Sequence, residues 1–431
     1  MRSLVAGLWL LCASPAVAEP QTWVLSVDRW GNAERSTLTL DDDRGALSGQ
    51  LNALAVEGRR DGDQLVFTAV DSDGDHYGFE ASQSDNVLSG WADYPDTNTP
   101  DVRVRHAFTA QRIEIPAGPP GRRTYDPETF SNAFTAERAP VMVIRPGDVI
   151  ATRTIDSGGV DEHGRTVALY GNPQTGPFFV VGANPGDVLA IHFTKLALNR
   201  DYADSLDGIT GRAMPLGLAA RSAGLGQRVR WLLDRAAGTA RLENAPAGLE
   251  NYVVPVRPML GGVAVAPDFG FAPFSAGDTG RFGGNMDSNQ IVQGATLNLT
   301  VYQPGGLIFL GDGHALQGDG ETTQWALETS LDVEFSVEVL PNRVLSSPRI
   351  ETADAITVIG QASSLDEAVR SATGSMVQWL EQDYGLTVSE ASLILGTAAE
   401  YRVATLAGRN AGISLSLDKS LLQALPRTPV N

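Results

Sequence analysis

The stretch Leu331-Asp-Val-Glu-Phe-Ser-Val-Glu-Val339 alternates apolar and polar side chains without interruption. Successive side chains of a β-strand point to opposite faces, so a period of two predicts a strand with one buried face. The same alternation occurs in Ala295-Thr-Leu-Asn-Leu-Thr-Val-Tyr302, and apolar runs follow Pro-Gly turns at 145–153 and 186–193. The sequence therefore predicts a mainly β protein, with a smaller α+β part where helical patterns begin.

A second series of short alternating segments lies between residues 22 and 110. Gly- and Asp-rich clusters such as Asp41–Gly45 and Asp61–Asp63 separate these segments, which is typical of a small antiparallel β-sandwich or barrel. The predicted strands are Trp23–Val27, Ser36–Leu40, Gln64–Thr68, Tyr77–Ala81, Val87–Trp91 and Val104–Thr109. We interpret residues 19–112 as one small β domain.

Asp71-Ser-Asp-Gly-Asp75 in this domain begins like a calcium-binding loop. A helical-hand loop requires Gly at its sixth position and Glu at its twelfth, where this chain has His76 and Ser82. A charged hairpin turn explains the segment better than calcium binding does.

Residues 113–124 contain most of a Pro- and Gly-rich run without hydrophobic periodicity, which predicts an extended linker before a domain at 125–431. Helices are expected late in that domain. Ser364-Leu-Asp-Glu367 and Thr387-Val-Ser-Glu390 both have the capping-box pattern, and apolar residues follow each at helical spacing. Leu225–Ala236 predicts a short amphipathic helix, and Trp325–Ser330 could form a strand.

The first residues predict export from the cytoplasm. One positive charge at Arg2, a short apolar run at 4–13 and the small-x-small triplet Ala16-Val-Ala18 have the pattern of a cleaved signal peptide at 1–18. We therefore expect a periplasmic or extracellular protein. The only cysteine, Cys12, would be removed with this peptide, which excludes a disulfide and a cysteine nucleophile in the mature chain.

The charge balance limits the partners. The formal net charge of −19 argues against nucleic acids and anionic membrane surfaces, because both repel an acidic protein. No stretch after Ala18 is apolar for long enough to cross a membrane. The acidity is compatible with divalent cations and with a small-molecule substrate.

Ligand-type side chains concentrate between Thr279 and Glu328, among many glycines. Asp, His and Glu bind metals and transfer protons, and glycines allow the backbone to approach a ligand closely. The residues of this cluster are Asn285, Asp287, Asp312, His314, Gln317, Asp319, Glu321 and Glu328. We expect the functional site here.

Several of these motifs resemble the acetamidase/formamidase family. The resemblance rests on Asn172–Leu189, on Phe282-Gly-Gly-Asn-Met-Asp287, and above all on Gly311-Asp-Gly-His-Ala-Leu-Gln-Gly-Asp-Gly-Glu321, followed by Ala326-Leu-Glu-Thr329. It covers roughly residues 120–425, in the order the family has. It implies an acetamidase/formamidase-like β-sandwich, hydrolysis of short aliphatic amides such as formamide or acetamide to a carboxylate and ammonia, and assembly into a homo-oligomer. The 19–112 domain is not part of the usual architecture.

The residues suggest how such hydrolysis would proceed. No serine has the glycine setting and partner lysine of a serine amidase, which leaves water activated by a metal or a carboxylate. We hypothesise a divalent metal, zinc rather than calcium, held by His314, Asp312 and Asp287, with Glu321 as general base and then general acid. Asn285 and Gln317 are candidates for amide recognition or oxyanion stabilisation. Further candidate ligands, or carboxylates that orient the ligands, are Asp319, Glu328 and Asp156.

Each assignment has a structural alternative. Asp287 could cap a turn, Asp319 could serve the turn formed by its neighbouring glycines, and Glu328 could form a buried ion pair. A different function is also compatible with the sequence. An exported, acidic, β-rich chain could be a non-catalytic binding or interaction protein stabilised by calcium, which would need oxygen ligands but not His314.

Overall fold

The computed structural model describes residues 20–270 and 273–427, so the predicted signal peptide lies outside the described residues. The chain forms two compact units, Met1–Ile113 and Glu114–Asn431. Both units are built mainly from strands, as the sequence predicts, and the strands are numbered here along the chain. Among the described residues, no helix is both long and apolar enough to span a membrane.

The first unit is a closed antiparallel barrel in which each strand pairs with the next and β8 pairs with β1. Its strands are β1 Gln21–Arg29, β2 Asn32–Asp43, β3 Ala46–Leu51, β4 Leu54–Asp61, β5 Gln64–Val70, β6 His76–Ser84, β7 Val87–Pro95 and β8 Arg103–Arg112. Alternation places every second side chain inside, for example Leu65, Phe67 and Ala69 of β5. The sequence left a sandwich and a barrel open, and the structure has the barrel.

Two of the eight barrel strands, β3 and β4, are absent from the six predicted. Both contain a glycine where the barrel backbone approaches closely: a Cβ on Gly49 would collide with the Thr39 carbonyl, and one on Gly58 with Phe67. A glycine in a sequence usually predicts a turn, whereas here each glycine allows close contact between neighbouring strands. The Asp71–Asp75 segment connects β5 to β6, and Asp71 Oδ1 accepts hydrogen bonds from the Asp73 and Asp75 N–H groups at 3.0 and 2.9 Å, as expected of a charged hairpin turn.

The second unit contains two larger sheets. The six-stranded sheet has the order β11-β13-β24-β19-β22-β21, with β11 Met142–Ile144, β13 Gln174–Val180, β19 Met259–Ala264, β21 Thr279–Gly280, β22 Gly283–Asn285 and β24 Ile308–His314. The nine-stranded sheet has the order β28-β29-β27-β26-β23-β14-β25-β12-β9. Its strands are β9 Arg122–Thr124, β12 Val149–Arg153, β14 Val188–Leu198, β23 Thr296–Thr300, β25 Leu331–Leu340, β26 Arg349–Glu351, β27 Ala355–Ala362, β28 Glu400–Thr405 and β29 Ala411–Asp418.

These two sheets pack face to face as a β-sandwich. The ring of Phe178 on β13 contacts the edge of Phe335 on β25 with centroids 5.3 Å apart. Strand β25 contains the alternating stretch at 331–339, and its apolar residues from Leu331 to Val337 are buried as the period of two predicts. The predicted linker at 113–124 includes β9, which pairs with β12.

Smaller elements complete the second unit. A four-stranded sheet contains β15 Tyr202–Leu206, β16 Arg228–Asp234, β17 Thr239–Leu242 and β18 Val253–Pro255, and a two-stranded sheet contains β10 Ala133–Phe134 and β20 Phe274–Ser275. The helices are α1 Leu216–Ala219, α2 Leu365–Tyr384, α3 Val388–Ala398 and α4 Lys419–Leu422, with a 3₁₀ turn at Gly211–Ala213.

The two predicted late helices are α2 and α3. Ser364 caps α2 through the Glu367 N–H, and Thr387 and Glu390 form a complete capping box on α3. Two other predictions are wrong. The segment 225–236 contains strand β16, because pairing with β15 and β17 outweighs its weak helical pattern. The segment 325–330 forms only isolated bridges, in which Glu328 pairs with Asp204 and His314.

Candidate active site

Adjacent strands of the six-stranded sheet bring the candidate site together. Strand β24 carries Asp312 and His314, which are two residues apart and therefore share a face. On one side β24 pairs with β13, which begins two residues after Asn172. On the other side it pairs with β19, which in turn pairs with β22 and its last residue, Asn285. Asp287 follows two residues later.

Five ionisable side chains meet in this region, and all of them are buried. Two groups place their ligand atoms within 4.8 Å of one another: Asp287, Asp312 and His314 form one, and His314, Glu321 and Glu328 form the other. His314 Nε2 lies 3.5 Å from Asp312 Oδ1 and 3.2 Å from Glu328 Oε1. His314 is therefore the centre of the cluster.

Four atoms at this centre are buried without a hydrogen-bond partner among the described residues. They are Asp287 Oδ1, Asp312 Oδ1, His314 Nε2 and Glu328 Oε2. A buried polar atom left unpaired costs about 1–3 kcal/mol, so an ordinary core avoids such atoms. Three of these atoms belong to the group Asp287, Asp312 and His314, which indicates a site that binds a ligand.

The other carboxylate oxygens are held by two asparagines. Asn285 Nδ2 donates to Asp287 Oδ2 at 2.6 Å, and Asn172 Nδ2 donates to Asp312 Oδ2 at 3.1 Å. Asn172 Nδ2 also donates to Asn285 Oδ1 at 2.6 Å, which links the two asparagines. This network fixes both carboxylates so that one oxygen of each remains available near His314 Nε2.

Gln317 fixes the histidine in the same way. Its Nε2 donates to the carbonyl oxygens of Asp287 and Ala404, at 2.5 and 3.3 Å, so its Oε1 must be the atom that lies 3.0 Å from His314 Nδ1. An amide oxygen only accepts, so Nδ1 carries a hydrogen, and when His314 gives up its second proton the lone pair is at Nε2. Gln317 is therefore a positioning residue, not the substrate-recognition group that the sequence suggested.

The backbone of the site is strained. Asn172, Asp287, Asp312 and Glu321 all have positive φ, between 40° and 58°. They are four of the ten non-glycine residues with positive φ among the described residues, and left-handed backbone at a non-glycine residue costs free energy that the surrounding structure must offset. Such strain is concentrated at functional sites, and here it accompanies the residues that surround His314.

Glycine provides the space for the two aspartates. A Cβ on Gly261 of β19 would collide with carboxylate oxygens of both Asp312 and Asp287. A Cβ on Gly311 or Gly262 would collide with the Gln174 side chain, whose Nε2 donates to the Asn172 carbonyl at 2.8 Å. Three glycines of two paired strands therefore leave room for the carboxylates and their supports.

Burial and mutual repulsion shift the proton affinities. Burial, reinforced by the neighbouring acids, raises the pKa of Asp287 well above 3.8 and the pKa of Glu328 above 4.5. The pKa of Glu321 rises to about 8, again mainly through burial. For His314, burial acts to lower the pKa, but Glu328 and Asp312 outweigh it and the pKa rises well above 6.5.

The cluster opens into a cavity of about 240 Å³. Asp287, Asp312, Glu321 and Glu328 contribute to its wall, as do Asn172 and Asn285. Glu321 Oε2 accepts a hydrogen bond from Thr405 Oγ1 at 2.8 Å, and Thr405 belongs to β28 of the opposite sheet. The cavity thus gives a small polar molecule access to the carboxylates.

Two of the predicted ligands lie apart from this cluster. Asp319 is partly exposed and pairs with Asn289 Nδ2 at 2.8 Å and Arg402 Nη1 at 3.4 Å. Asp156 is buried, but it forms an ion pair of 2.7 Å with Arg200, which also donates to the Glu328 carbonyl at 3.0 Å. Asp156 therefore supports the backbone of Glu328 through Arg200 and is not placed as a ligand.

Sequence reasoning assigned no role to Asn172, Thr405 or Arg200. Asn172 is 113 residues from Asn285 and 140 from Asp312, so no local spacing connects them. The only signal was that Asn172 begins one of the stretches that carry the family resemblance.

The residues present fit a divalent cation. Two ligands about 2.0–2.1 Å from a tetrahedral zinc are about 3.4 Å apart. The distances from His314 Nε2 to the Asp312 and Glu328 oxygens, 3.5 and 3.2 Å, agree with this separation. Imidazole nitrogen with carboxylate oxygens is also a ligand set that zinc accepts.

Comparisons with known proteins point to one family. The model of the Acetamidase/Formamidase family matches residues 277–408, which include Asp287, Asp312, His314, Glu321 and Glu328. Among curated proteins, none matches the chain significantly.

Solved structures extend this likeness over the second unit. A predicted acetamidase/formamidase from Thermoanaerobacter tengcongensis is 26% identical, with a TM-score of 0.60 over 71% of this chain and 98% of the other. An acetamidase from Yersinia enterocolitica is 26% identical, with a TM-score of 0.62 over 70% and 93%. An acetamidase from Bacillus halodurans is 25% identical, with a TM-score of 0.59 over 70% and 99%. Residues 277–408 thus match the model of the acetamidase/formamidase family, and the chain resembles solved acetamidase and acetamidase/formamidase structures.

Proposed function

We propose that this protein hydrolyses the C–N bond of short linear amides, giving a carboxylate and ammonia. The family supports amide hydrolysis, and one observation carries the mechanism. Three buried, unpartnered ligand atoms, Asp287 Oδ1, Asp312 Oδ1 and His314 Nε2, belong to one cluster beside a cavity of about 240 Å³ in which Glu321 also lies. This arrangement suits a bound cation beside a proton carrier, which is what hydrolysis by water requires.

His314 Nε2, Asp287 Oδ1 and Asp312 Oδ1 would hold the cation, with Glu328 as a further ligand. Zinc is favoured because imidazole is a good ligand for it and a poor one for calcium. When bound, such a cation lowers the pKa of water and polarises a carbonyl oxygen. Asn172, Asn285 and Gln317 keep the ligand atoms in place, and their loss would weaken binding about 10–100-fold.

Glu321 would move the proton. Thr405 holds Oε2, which leaves Oε1 to accept a proton as a water oxygen attacks the amide carbon. The same carboxyl group then gives this proton to the amide nitrogen as the C–N bond breaks, so that ammonia leaves and the acid remains. In the cation-free protein, burial raises the pKa of Glu321 to about 8, and a cation bound beside it would lower that pKa.

The predicted signal peptide supports the further proposal that the enzyme acts outside the cytoplasm, in the periplasm or beyond the cell. N-terminal sequencing of the protein recovered from those fractions tests it. A mature chain that begins at Glu19 would support export, and a chain that retains Met1 in the cytoplasm would contradict it.

Metal analysis of the purified protein, together with ammonia release from formamide and acetamide before and after chelation, tests the proposed function. We expect bound zinc and release that stops on chelation and returns with zinc. His314→Ala should abolish both, whereas His163→Ala, which alters an exposed histidine, should change neither. Release that persists in the His314→Ala variant would contradict the assignment of the cation site. Calcium without ammonia release from any amide would favour the calcium-stabilised binding protein.

A further inference from the structure

The cavity is larger than the simplest amides require. Acetamide has four non-hydrogen atoms, which occupy roughly 120 Å³ if each takes about the 30 Å³ share of a liquid water molecule. The cavity measures about 240 Å³. About half of it is therefore available to an acyl group larger than a methyl group.

Two aromatic side chains stand in the wall of this cavity. Tyr170 and Trp325 have ring centroids 6.2 Å apart and planes inclined by 40°. Tyr170 is 65% exposed, so its ring is not fully used in packing the core. Aromatic rings at this spacing stack or meet edge to face with a further ring, and such contacts add binding free energy beyond the area they bury.

Both rings are tied to the catalytic cluster. Asn132 Nδ2 contacts the carbonyl oxygens of the loop that carries Tyr170, including that of Tyr170 itself at 3.1 Å. Two residues later, Asn172 holds Asp312. On the other side, Trp325 is three residues before Glu328, and its carbonyl accepts a hydrogen bond from Thr323 Oγ1 at 2.5 Å. The backbone that carries each ring is therefore held before binding, which lowers the entropic cost of ordering these segments.

The charges around the cavity select against an anionic acyl group. Four carboxyl groups line it, and the cation in its wall, Arg409, already forms an ion pair of 2.9 Å with Asp278. Away from the proposed cation, a carboxylate on the acyl group would find no free cationic side chain in the lining of the cavity. An uncharged ring needs no such partner.

We propose that Tyr170 and Trp325 form a subsite for the acyl group, and that the preferred substrate is an uncharged primary amide whose acyl group ends in an aromatic ring. This inference rests on the proposed function, since the subsite places the amide group of such a molecule at the carboxylate cluster. It assigns the rings a role in selecting the substrate, not in the bond-breaking step.

The test compares kcat/KM for ammonia release from phenylacetamide and from acetamide. In the wild-type enzyme we expect phenylacetamide to be favoured at least tenfold. Tyr170→Ala and Trp325→Leu should each lower this preference about fivefold or more. Leu169→Ala is the matched control, because Leu169 is exposed in the same loop and does not line the cavity; the preference should not change.

Phenylacetamide binding, measured by calorimetry on the metal-loaded wild-type and variant proteins, separates the two proposals. Acetamide turnover without any preference for phenylacetamide, or a preference that survives both substitutions, would overturn the subsite and leave the proposed function standing. Binding that is lost in Tyr170→Ala, with no ammonia released from either amide, would support the subsite and contradict the proposed function. Neither binding nor turnover would overturn both.

Discussion

The barrel of the first unit and the candidate site beside the six-stranded sheet of the second bury opposite kinds of side chain. In the described barrel residues no carboxylate is buried, and the interior is filled by apolar side chains such as the stacked pair Phe67 and Phe79, 4.7 Å apart. The candidate site buries Asp287, Asp312 and three further ionisable groups. We therefore expect the barrel interior to stabilise its fold, and the buried, partly unpartnered acids of the candidate site to lower the stability of the second unit in the absence of a ligand.

The largest effect should come from Glu321, the proposed proton carrier beside the six-stranded sheet. Glu321→Gln keeps the size of the side chain but removes its ability to exchange a proton, so ammonia release should fall about 10²–10⁴-fold. Metal analysis should find the cation still bound. Glu338→Gln, on an exposed face of β25, is the control and should keep full activity. Full activity in Glu321→Gln with the cation bound would exclude Glu321 as general base.

In the barrel, the largest loss should be one of stability. Phe79 is 1% exposed and contacts Phe67, Phe108 and Tyr94. Phe79→Ala should lower the free energy of unfolding by about 3–5 kcal/mol, because it leaves a cavity in the core. Urea denaturation followed by circular dichroism measures the change.

Val66→Ala is the control for Phe79→Ala. Val66 belongs to β5 but is 40% exposed, and the change should stay within about 0.5 kcal/mol. Ammonia release should persist in both variants under native conditions, because no barrel residue lines the cavity. If folded Phe79→Ala lost amide hydrolysis, the barrel would be needed for activity and not only for its own stability.

The cation-free protein should lose stability as pH rises. Folded Glu321 keeps its proton up to a pKa of about 8, whereas in the unfolded chain it loses the proton near 4.5. Between these values the folded state binds more protons than the unfolded state. The free energy of unfolding should therefore fall with pH, by up to about 1.4 kcal/mol per pH unit for each such group.

Thermal unfolding of the chelated protein from pH 5 to pH 8 measures this dependence. The stability of the zinc-loaded protein should depend less on pH, because the bound cation replaces the protons on these acids. Titration with zinc at pH 7 should release protons, which calorimetry in buffers of different ionisation enthalpy detects. A chelated protein whose stability rises over this range would contradict the raised pKa of Glu321.

A smaller effect is expected where a buried carboxylate of the second unit is fully partnered. The N–H groups of Gly121 and Arg145, each at 2.9 Å, and the Arg123 side chain, at 3.1 Å, all donate to Asp148. Burial acts against its ionisation, but these bonds outweigh it and lower the pKa below 3.8. Its stabilising contribution is therefore present above pH 3.8 and is lost as pH falls through the folded value.

Asp148→Asn should cost about 1–3 kcal/mol at pH 7 and progressively less below pH 4. Denaturation of the variant and the wild type at pH 7 and pH 3 measures the difference. Asp354→Asn, at an exposed position, should have no effect at either pH. An equal loss at both pH values for Asp148→Asn would mean that the charge of Asp148 does not provide the stabilisation.

The sequence by itself determined the class of fold and named most of the residues of the candidate site. Period-two alternation identified β25 and most barrel strands, and capping boxes identified α2 and α3, because both patterns depend on neighbours a few residues apart. Asp312 and His314 could be grouped for the same reason, since residues two apart on a strand share a face. Strands β3 and β4 were not predicted, because each contains a glycine. Glycine occurs both in turns and where two strands approach closely, and the sequence alone does not separate these cases.

Only the tertiary structure decided which candidates meet and what each one does. In the folded second unit, Asn172 lies beside Asp312. Asp319 lies outside the cluster, and the side chain of Gln317 contacts His314. The tertiary structure also sets the volume of the cavity and places Tyr170 beside Trp325. These relations join residues that are far apart in the chain, and burial, which raises the pKa of Glu321, exists only after both sheets have packed.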